Sequence, residues 1–262
     1  MASGDTVEFT STAGNSNVTN LSASVTDNGG GSTAPTVNTT DGSAATGGGS
    51  AVASASANSV NIVDNGAKSI TDITVDGFAG GATLGAGGSG SLDQLNNLTL
   101  RNGTGGADLT TTATDLSVVL DGVSGTFDDT GSNIEDLTLT AEGGNSDIDV
   151  DATSTKDLNI TANAGLDLSG STIGSNNDLE TVFVSGSGDV DLGTVQSSDN
   201  LNSFDAAQNS GGVTATVNAN SGNFGNLSEY VFSSGADDVT LNDTTVDTDV
   251  TLNGGDDTVS LA

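Results

Sequence analysis

The chain has no cysteine, no histidine and no tryptophan, one proline (Pro35), one tyrosine (Tyr230) and seven phenylalanines. Without cysteine there are no disulfides and no thiolate metal sites. Without histidine the commonest general acid–base and the commonest transition-metal ligand are both missing. Lys68, Arg101 and Lys156 are the whole basic inventory, which excludes a basic patch for nucleic acid or an anionic membrane. No apolar run approaches membrane-spanning length, so no membrane span is expected. With 3% aromatic and 33% apolar residues in 262 positions, a compact globule of this size would be short of core. A narrow tube whose layers share one core needs less.

What the chain has is glycine, 38 residues, and acid, 35 residues, for a net charge of −32. Five of the acids are Glu (Glu8, Glu135, Glu142, Glu180, Glu229), which leaves 30 Asp. Low hydrophobicity with high charge is also the mark of disorder, but period-2 alternation recurs along most of the chain, and a disordered chain has no reason to keep it. A helical acidic surface would prefer Glu; Asp favours turns, where its short side chain bonds nearby backbone or holds a cation.

From residue 60 onward one pattern returns, apolar-x-x-apolar-x-apolar: Ile70 to Val75, Leu95 to Leu100, Ile134 to Leu139, Leu179 to Val184. Weaker copies surround Leu158, Phe204 and Tyr230. Markers at 73, 98, 118, 137, 158, 182, 204, 230 and 250 are spaced by about 22 residues, a solenoid period. A second alternating run follows each marker: Ile148 to Val150, Leu166 to Leu168, Val190 to Leu192, Val213 to Val217, Val239 to Leu241, Val259 to Leu261. Gly-rich corners separate the two runs (Gly143-Gly144, Gly186-Ser187-Gly188, Gly211-Gly212, Gly254-Gly255), where positive φ lets the backbone turn sharply. Stretches such as 175–177 and 197–200 read as further corners. No window shows helical spacing. Alternation alone would fit an antiparallel sandwich; two strands and a Gly corner every 22 residues instead predict an all-β, right-handed parallel β-helix (β-solenoid) of about ten coils over 60–262. Residues 1–59 form a separate, irregular Gly/Ser/Thr-rich segment of coils and loop. Within it Thr6 to Phe9 and Val18 to Val25 fit the pattern, and Ala51 to Ala57 reads either as a thin-cored coil or as a mobile insertion.

The two ends share a phase: Ser3-Gly4-Asp5-Thr6-Val7-Glu8-Phe9 matches Gly255-Asp256-Asp257-Thr258-Val259-Ser260-Leu261. Neither end carries a helical or proline cap, so each coil offers unpaired backbone groups to a similar coil. Two readings follow, head-to-tail self-assembly or a piece cut from a longer solenoid, and both imply an extended structural protein. The start, Met1-Ala2-Ser3-Gly4, lacks a basic and an apolar region, so no cleavable signal peptide is expected; export by another route, or an artificial start, would account for it.

Paired carboxylates first suggest glycan hydrolysis, but such sites also want a proton donor or electrophile and aromatic platforms, so no enzyme is expected. Calcium suits the residues better, since it takes six to eight oxygen ligands. Stacked corners bring carboxylates of successive coils within about 5 Å, where a divalent cation turns repulsion into a clamp. The candidate ligands are Asp147 and Asp149, Asp189 and Asp191, Asp237 and Asp238, and Asp256 and Asp257, with Gly-corner carbonyls. Asn253-Gly254-Gly255-Asp256-Asp257-Thr258-Val259 resembles a shortened Gly-Gly-x-Gly-x-Asp-x-apolar nonapeptide of RTX proteins, exported bacterial calcium-binding β-rolls. Ser234-Gly235-Ala236-Asp237-Asp238-Val239 is a poorer copy, and no tandem nonapeptides occur. The texture of residues 60–262 is similar to bacterial S-layer and β-strand-repeat surface proteins. The resemblance implies secretion to the cell surface, signal-peptide-independent export and calcium-dependent assembly. The expected function is a secreted structural protein forming a surface lattice or filament, with Ca2+ as cofactor. Its expected partners are other copies of itself and a cell-envelope polysaccharide. The alternative is a surface adhesin or glycan-binding module, which should display an exposed aromatic or basic patch. A leucine-rich repeat fits only Leu95 to Asn102, and an ice-binding face would need regularly spaced Thr that the repeat does not supply.

Overall fold

The computed structural model describes residues 60–262 other than 65–69, 86–91, 176–177, 197–200, 219–228, 243–248 and 262; before residue 60, and at 63–64, 196 and 218, it describes strand backbone alone. The described residues form strands and no helix. In chain order the first are β1 (Thr6–Phe9), β2 (Asn20–Val25), β3 (Thr36–Asp41), β4 (Gly49–Ala55), β5 (Val60–Asp64), β6 (Ile70–Asp76), β7 (Ala82–Leu84) and β8 (Asn97–Arg101). There follow β9 (Ala107–Leu109), β10 (Asp115–Asp121), β11 (Ser124–Asp129), β12 (Asp136–Ala141), β13 (Ser146–Ala152), β14 (Asp157–Ala162), β15 (Leu166–Asp167) and β16 (Thr172–Ile173). The last are β17 (Thr181–Gly186), β18 (Val190–Gln196), β19 (Ser203–Asn209), β20 (Val213–Asn218), β21 (Glu229–Val231), β22 (Asp238–Asn242), β23 (Asp249–Thr251) and β24 (Thr258–Leu261).

Up to β14 the strands alternate between two sheets. One runs β1-β3-β5-β7-β9-β11-β13-β15-β18-β20-β22-β24, with β16 also on β13; the other runs β2-β4-β6-β8-β10-β12-β14-β17-β19-β21-β23. Each strand therefore pairs with its counterpart one coil away, and the pairs are parallel, as in β10 on β12 and β20 on β22. The chain is a β-solenoid with about 22 residues per coil, and an antiparallel sandwich is ruled out. The ladders cross residue 59 through β3 on β5 and β4 on β6. The small-residue run beginning at Ala51 is strand β4 up to Ala55; the rest of 27–59 outside β3 and β4 lies outside the described residues, as do the return corners at 176–177 and 197–200.

Register follows the sequence markers with one exception. Ile73 stacks on Leu98, and Leu137, Leu158, Val182, Phe204, Tyr230 and Val250 form one column. Leu98 stacks on Val118, but Leu137 stacks on Leu116. Taking Val118 as a single marker is thus two residues off on its C-terminal side. A slip of two leaves every side chain on the same face, so alternation does not reveal it.

Alternation sets the core. In β13 every second residue, Ser146, Ile148, Val150 and Ala152, is buried and its neighbours are exposed. Four phenylalanines, Phe78, Phe127, Phe204 and Phe232, are fully buried. Phe204 lies 5.0 Å from Phe232 and 5.9 Å from Tyr230 between ring centroids, an aromatic stack inside the C-terminal coils.

The corners need glycine, for two different reasons. Gly255 has φ +111, which an L side chain rarely adopts. Gly211 instead sits so close to the coil before it that an added Cβ would fall 2.3 Å from the Gly188 carbonyl oxygen. Gly235 repeats this over Gly211, and Gly255 over Gly235. The corner column is backbone packed on backbone.

Candidate cation-binding groove

Outward positions of the first sheet repeat in register as reliably as inward ones. Asp147 stacks on Asp167, Asp167 on Asp191, Asp191 on Thr214, and Thr214 on Asp238. Parallel neighbours lie about 4.8 Å apart, so three carboxylates follow one another at that spacing. An open groove is lined by Asp147, Asp167, Asp189 and Asp191, with Asn145 and Thr214 on its sides. Three of the expected ligands therefore meet in one groove. Asp167 joins them, although the corner-by-corner reading of the sequence passes over it.

Several of these side chains serve the backbone. Asp189 Oδ1 accepts the Gly212 N–H at 2.9 Å, Asp191 Oδ1 accepts the Gly193 N–H at 2.8 Å, and Asp167 Oδ1 accepts the Ser169 N–H at 2.8 Å. They satisfy a donor in the Gly211-Gly212 corner, one just past β15 and one where β18 slips register against β20. Among the described residues no three His, Cys, Asp or Glu side chains converge so as to hold one metal ion. The groove can offer a hard cation carboxylates two at a time, with carbonyl and water oxygens completing the shell; it does not form a closed cage.

The other expected ligands lie elsewhere. Asp149 is exposed beside Gly170, whose Cβ, if present, would fall on its carboxylate. Asp238 and Asp256 are exposed. Asp257 is half-buried and its Oδ1 accepts the Asp237 N–H at 3.1 Å. Asp237 is buried, 2% exposed, and its Oδ1 accepts from the Val213 N–H and the Ser233 hydroxyl. Adjacent aspartates at a corner are thus not equivalent. Alternation turns Asp238 out and Asp237 in, toward the side of Val239 and Leu241.

Two further acidic rows escape a reading that searches only corners. In the second sheet Asp115, Asp136 and Asp157 stack in register at the starts of β10, β12 and β14. The Thr114 hydroxyl donates to Asp115 and the Thr181 hydroxyl to Asp157. Asp136, in the middle, is pushed up to about 6, first by loss of solvation, then by shared hydrogen bonds and repulsion from both neighbours. In the first sheet Asp108, Asp128 and Asp151 form the other row. Asp128 is raised by burial and by Asp151, Asp108 and Asp129. The signal was present: each member of the row in the second sheet precedes a leucine, Asp115-Leu116, Asp136-Leu137 and Asp157-Leu158, at gaps of 21.

Positive charge is scarce at these sites. Lys156 pairs with Glu135 at 2.8 Å, and Arg101 lies 3.9 Å from Asp121. Comparison with protein-family models, with curated proteins and with solved structures finds no match to this chain.

Proposed function

We propose that this chain is a secreted structural protein whose solenoids join end to end into a filament or surface lattice, with calcium bound along its aspartate rows. The observation that carries this reading is the C-terminal coil. Val259 stacks on Val239 and Leu261 on Leu241, so both occupy inward positions. Val239 and Leu241 are 0% and 6% exposed, yet Val259 and Leu261 are 39% and 69% exposed. Both side chains continue the inward apolar column and are open to solvent. The strands that bear this edge, β23 and β24, each end a sheet, as β2 and β1 do at the other end. A second copy translated along the axis would place β1 over β24 and β2 over β23. Such a junction is parallel like the internal ones and continues both ladders, and it suits the phase shared by Asp5-Thr6-Val7 and Asp257-Thr258-Val259.

The glycan-binding alternative finds less support, since among the described residues no aromatic side chain lines the acidic groove. Sedimentation and electron microscopy of the purified protein, with calcium and with chelator, test assembly. Long particles are expected, and Val259→Lys with Leu261→Lys should leave single solenoids of unchanged circular dichroism. Dispersed monomers of the unsubstituted chain in both conditions would overturn the proposal.

A further inference from the structure

One step between coils is built differently on its two sides. On the second sheet β14 pairs β17 at six consecutive positions, from Asp157 on Thr181 to Ala162 on Gly186. On the first sheet β18 meets the coil before it at two, Leu166 on Val190 and Asp167 on Asp191. Among the described residues every other step of that sheet has at least three. The short strand β16 pairs β13 and stands off the path that leads to β18. Donors that could continue the ladder turn inward on their own segment instead. Ser171 N–H donates to the Leu168 carbonyl at 2.9 Å, and Gly193 N–H donates to Asp191 Oδ1 at 2.8 Å. Just beyond, β18 slips register against β20 between Asp191 and Thr194.

The core is thinnest at the same place. Val195 and Leu192, on β18, are 8% and 7% exposed, the highest values among the buried apolar residues, and Ile173 on β16 is only partly buried. Beneath them lies a cavity of about 20 Å³, lined by Leu168, Ile173, Leu192 and Val195 from the first-sheet side and by Leu158 and Val182 from the second. Side chains that face a void lose contacts on that side. Val182 and Val184, on β17 of the same coil, are by contrast 1% and 0% exposed. Few ladder positions, a register slip, a void and thin cover thus fall together on one side of one step, while the other side is fully laddered.

We infer that this step is a hinge in the solenoid: the second sheet stays continuous through β14 and β17, while the first opens between residues 166–173 and β18 and uncovers Leu192 and Val195. Local opening draws on the segment with the fewest ladder bonds and the poorest packing. The charge that favours opening is built in. Asp147, Asp167 and Asp191 stack in register, so one of the two pairs that close the first sheet here sets carboxylate on carboxylate, about 4.8 Å apart, where like charges repel. Lys156 is engaged with Glu135, and no Lys or Arg follows it in the sequence. The hinge belongs to a single chain and requires neither end-to-end assembly nor calcium.

The chain has no cysteine, so a single introduced thiol reports on a chosen place. Val195→Cys puts it on the first sheet and Val184→Cys on the second, both at buried valines of one coil. With chelator present, and at a dilution where sedimentation shows monomers, a small thiol reagent should label position 195 about tenfold faster than position 184. Asp167→Asn, which keeps an acceptor for the Ser169 N–H, should slow labelling at 195 about two- to fourfold and leave 184 unchanged. Access through a static gap would not respond to that charge, and unfolding of the whole coil would label both positions alike. Amide hydrogen exchange reads the same motion without a thiol. Leu166 and Leu168 donate to the Asp189 and Asp191 carbonyls on the opening side, and Glu180 and Ser187 donate to the Lys156 and Ala162 carbonyls across the same step on the other. After correction for intrinsic rates, the first two should exchange faster than the second two. Equal labelling at 195 and 184, labelling at 195 that ignores Asp167→Asn, or equal exchange of the two amide pairs would overturn the inference.

Discussion

At the scale of single residues, the acids of this chain divide by parity along the strand. An outward aspartate in register with another forms a row in water, and an inward one is a buried polar group to be satisfied. Asp136 shows what a row does to its middle member. Between Asp115 and Asp157 it holds its proton up to about pH 6 instead of its ordinary 3.8. The raised value means that the native state binds more protons than the unfolded chain across that interval. The contribution of this row to stability is therefore full only below the ordinary 3.8 and is lost as pH rises from there through about 6. We expect the urea midpoint to decline over that interval, and Asp136→Asn to remove that part of the decline while leaving the fold intact. A decline of the same size in the variant would show that the row carries none of it.

At the scale of the coil, the corner column explains why glycine recurs where only some corners have positive φ. Gly211 is the informative position. Its substitution by alanine asks for no forbidden φ, yet the new Cβ would meet the Gly188 carbonyl oxygen and carbon at 2.3 and 2.4 Å. Backbone has to yield, and overpacking of this kind costs about 1–3 kcal/mol. Gly211→Ala should lower the urea unfolding free energy by that amount, with hydrogen exchange loosened first in β18, β20 and β22, because a coil contacts only its neighbours. Most of this architecture was legible beforehand. The 22-residue period, the two strands per coil and the apolar columns all follow from alternation and spacing. The slip between Leu116 and Val118 was not, because period-2 patterning is blind to a shift of two. Asp237 and Asp238 read as a pair of surface ligands for a similar reason: counting them as a corner motif ignores that neighbours on a strand face opposite ways. The Asp115–Asp136–Asp157 row was written in the sequence and is found only when successive repeats are laid in register.

At the scale of the whole molecule, a charge of −32 on a narrow solenoid is a standing force against compaction and against any junction between two copies. It acts in two parts that respond differently to salt. The diffuse part, between charges farther apart than the Debye length of about 10 Å at 0.1 M, is screened by any electrolyte. The local part, between carboxylates about 4.8 Å apart in a row, lies inside that length and yields only to protons or to a cation seated between them. Sodium chloride should thus raise the melting temperature and then level off. Calcium at matched ionic strength should raise it further, because a divalent ion bound by the folded rows and not by the unfolded chain adds its binding free energy to stability. Asp147→Asn with Asp191→Asn, on the ladder either side of Asp167, should narrow the gap between the two salts, since the groove then keeps Asp167 and Asp189 but loses the neighbours of Asp167. Melting curves that coincide in sodium and calcium at equal ionic strength would leave the rows as solvated charge, tolerated by the fold and used for nothing.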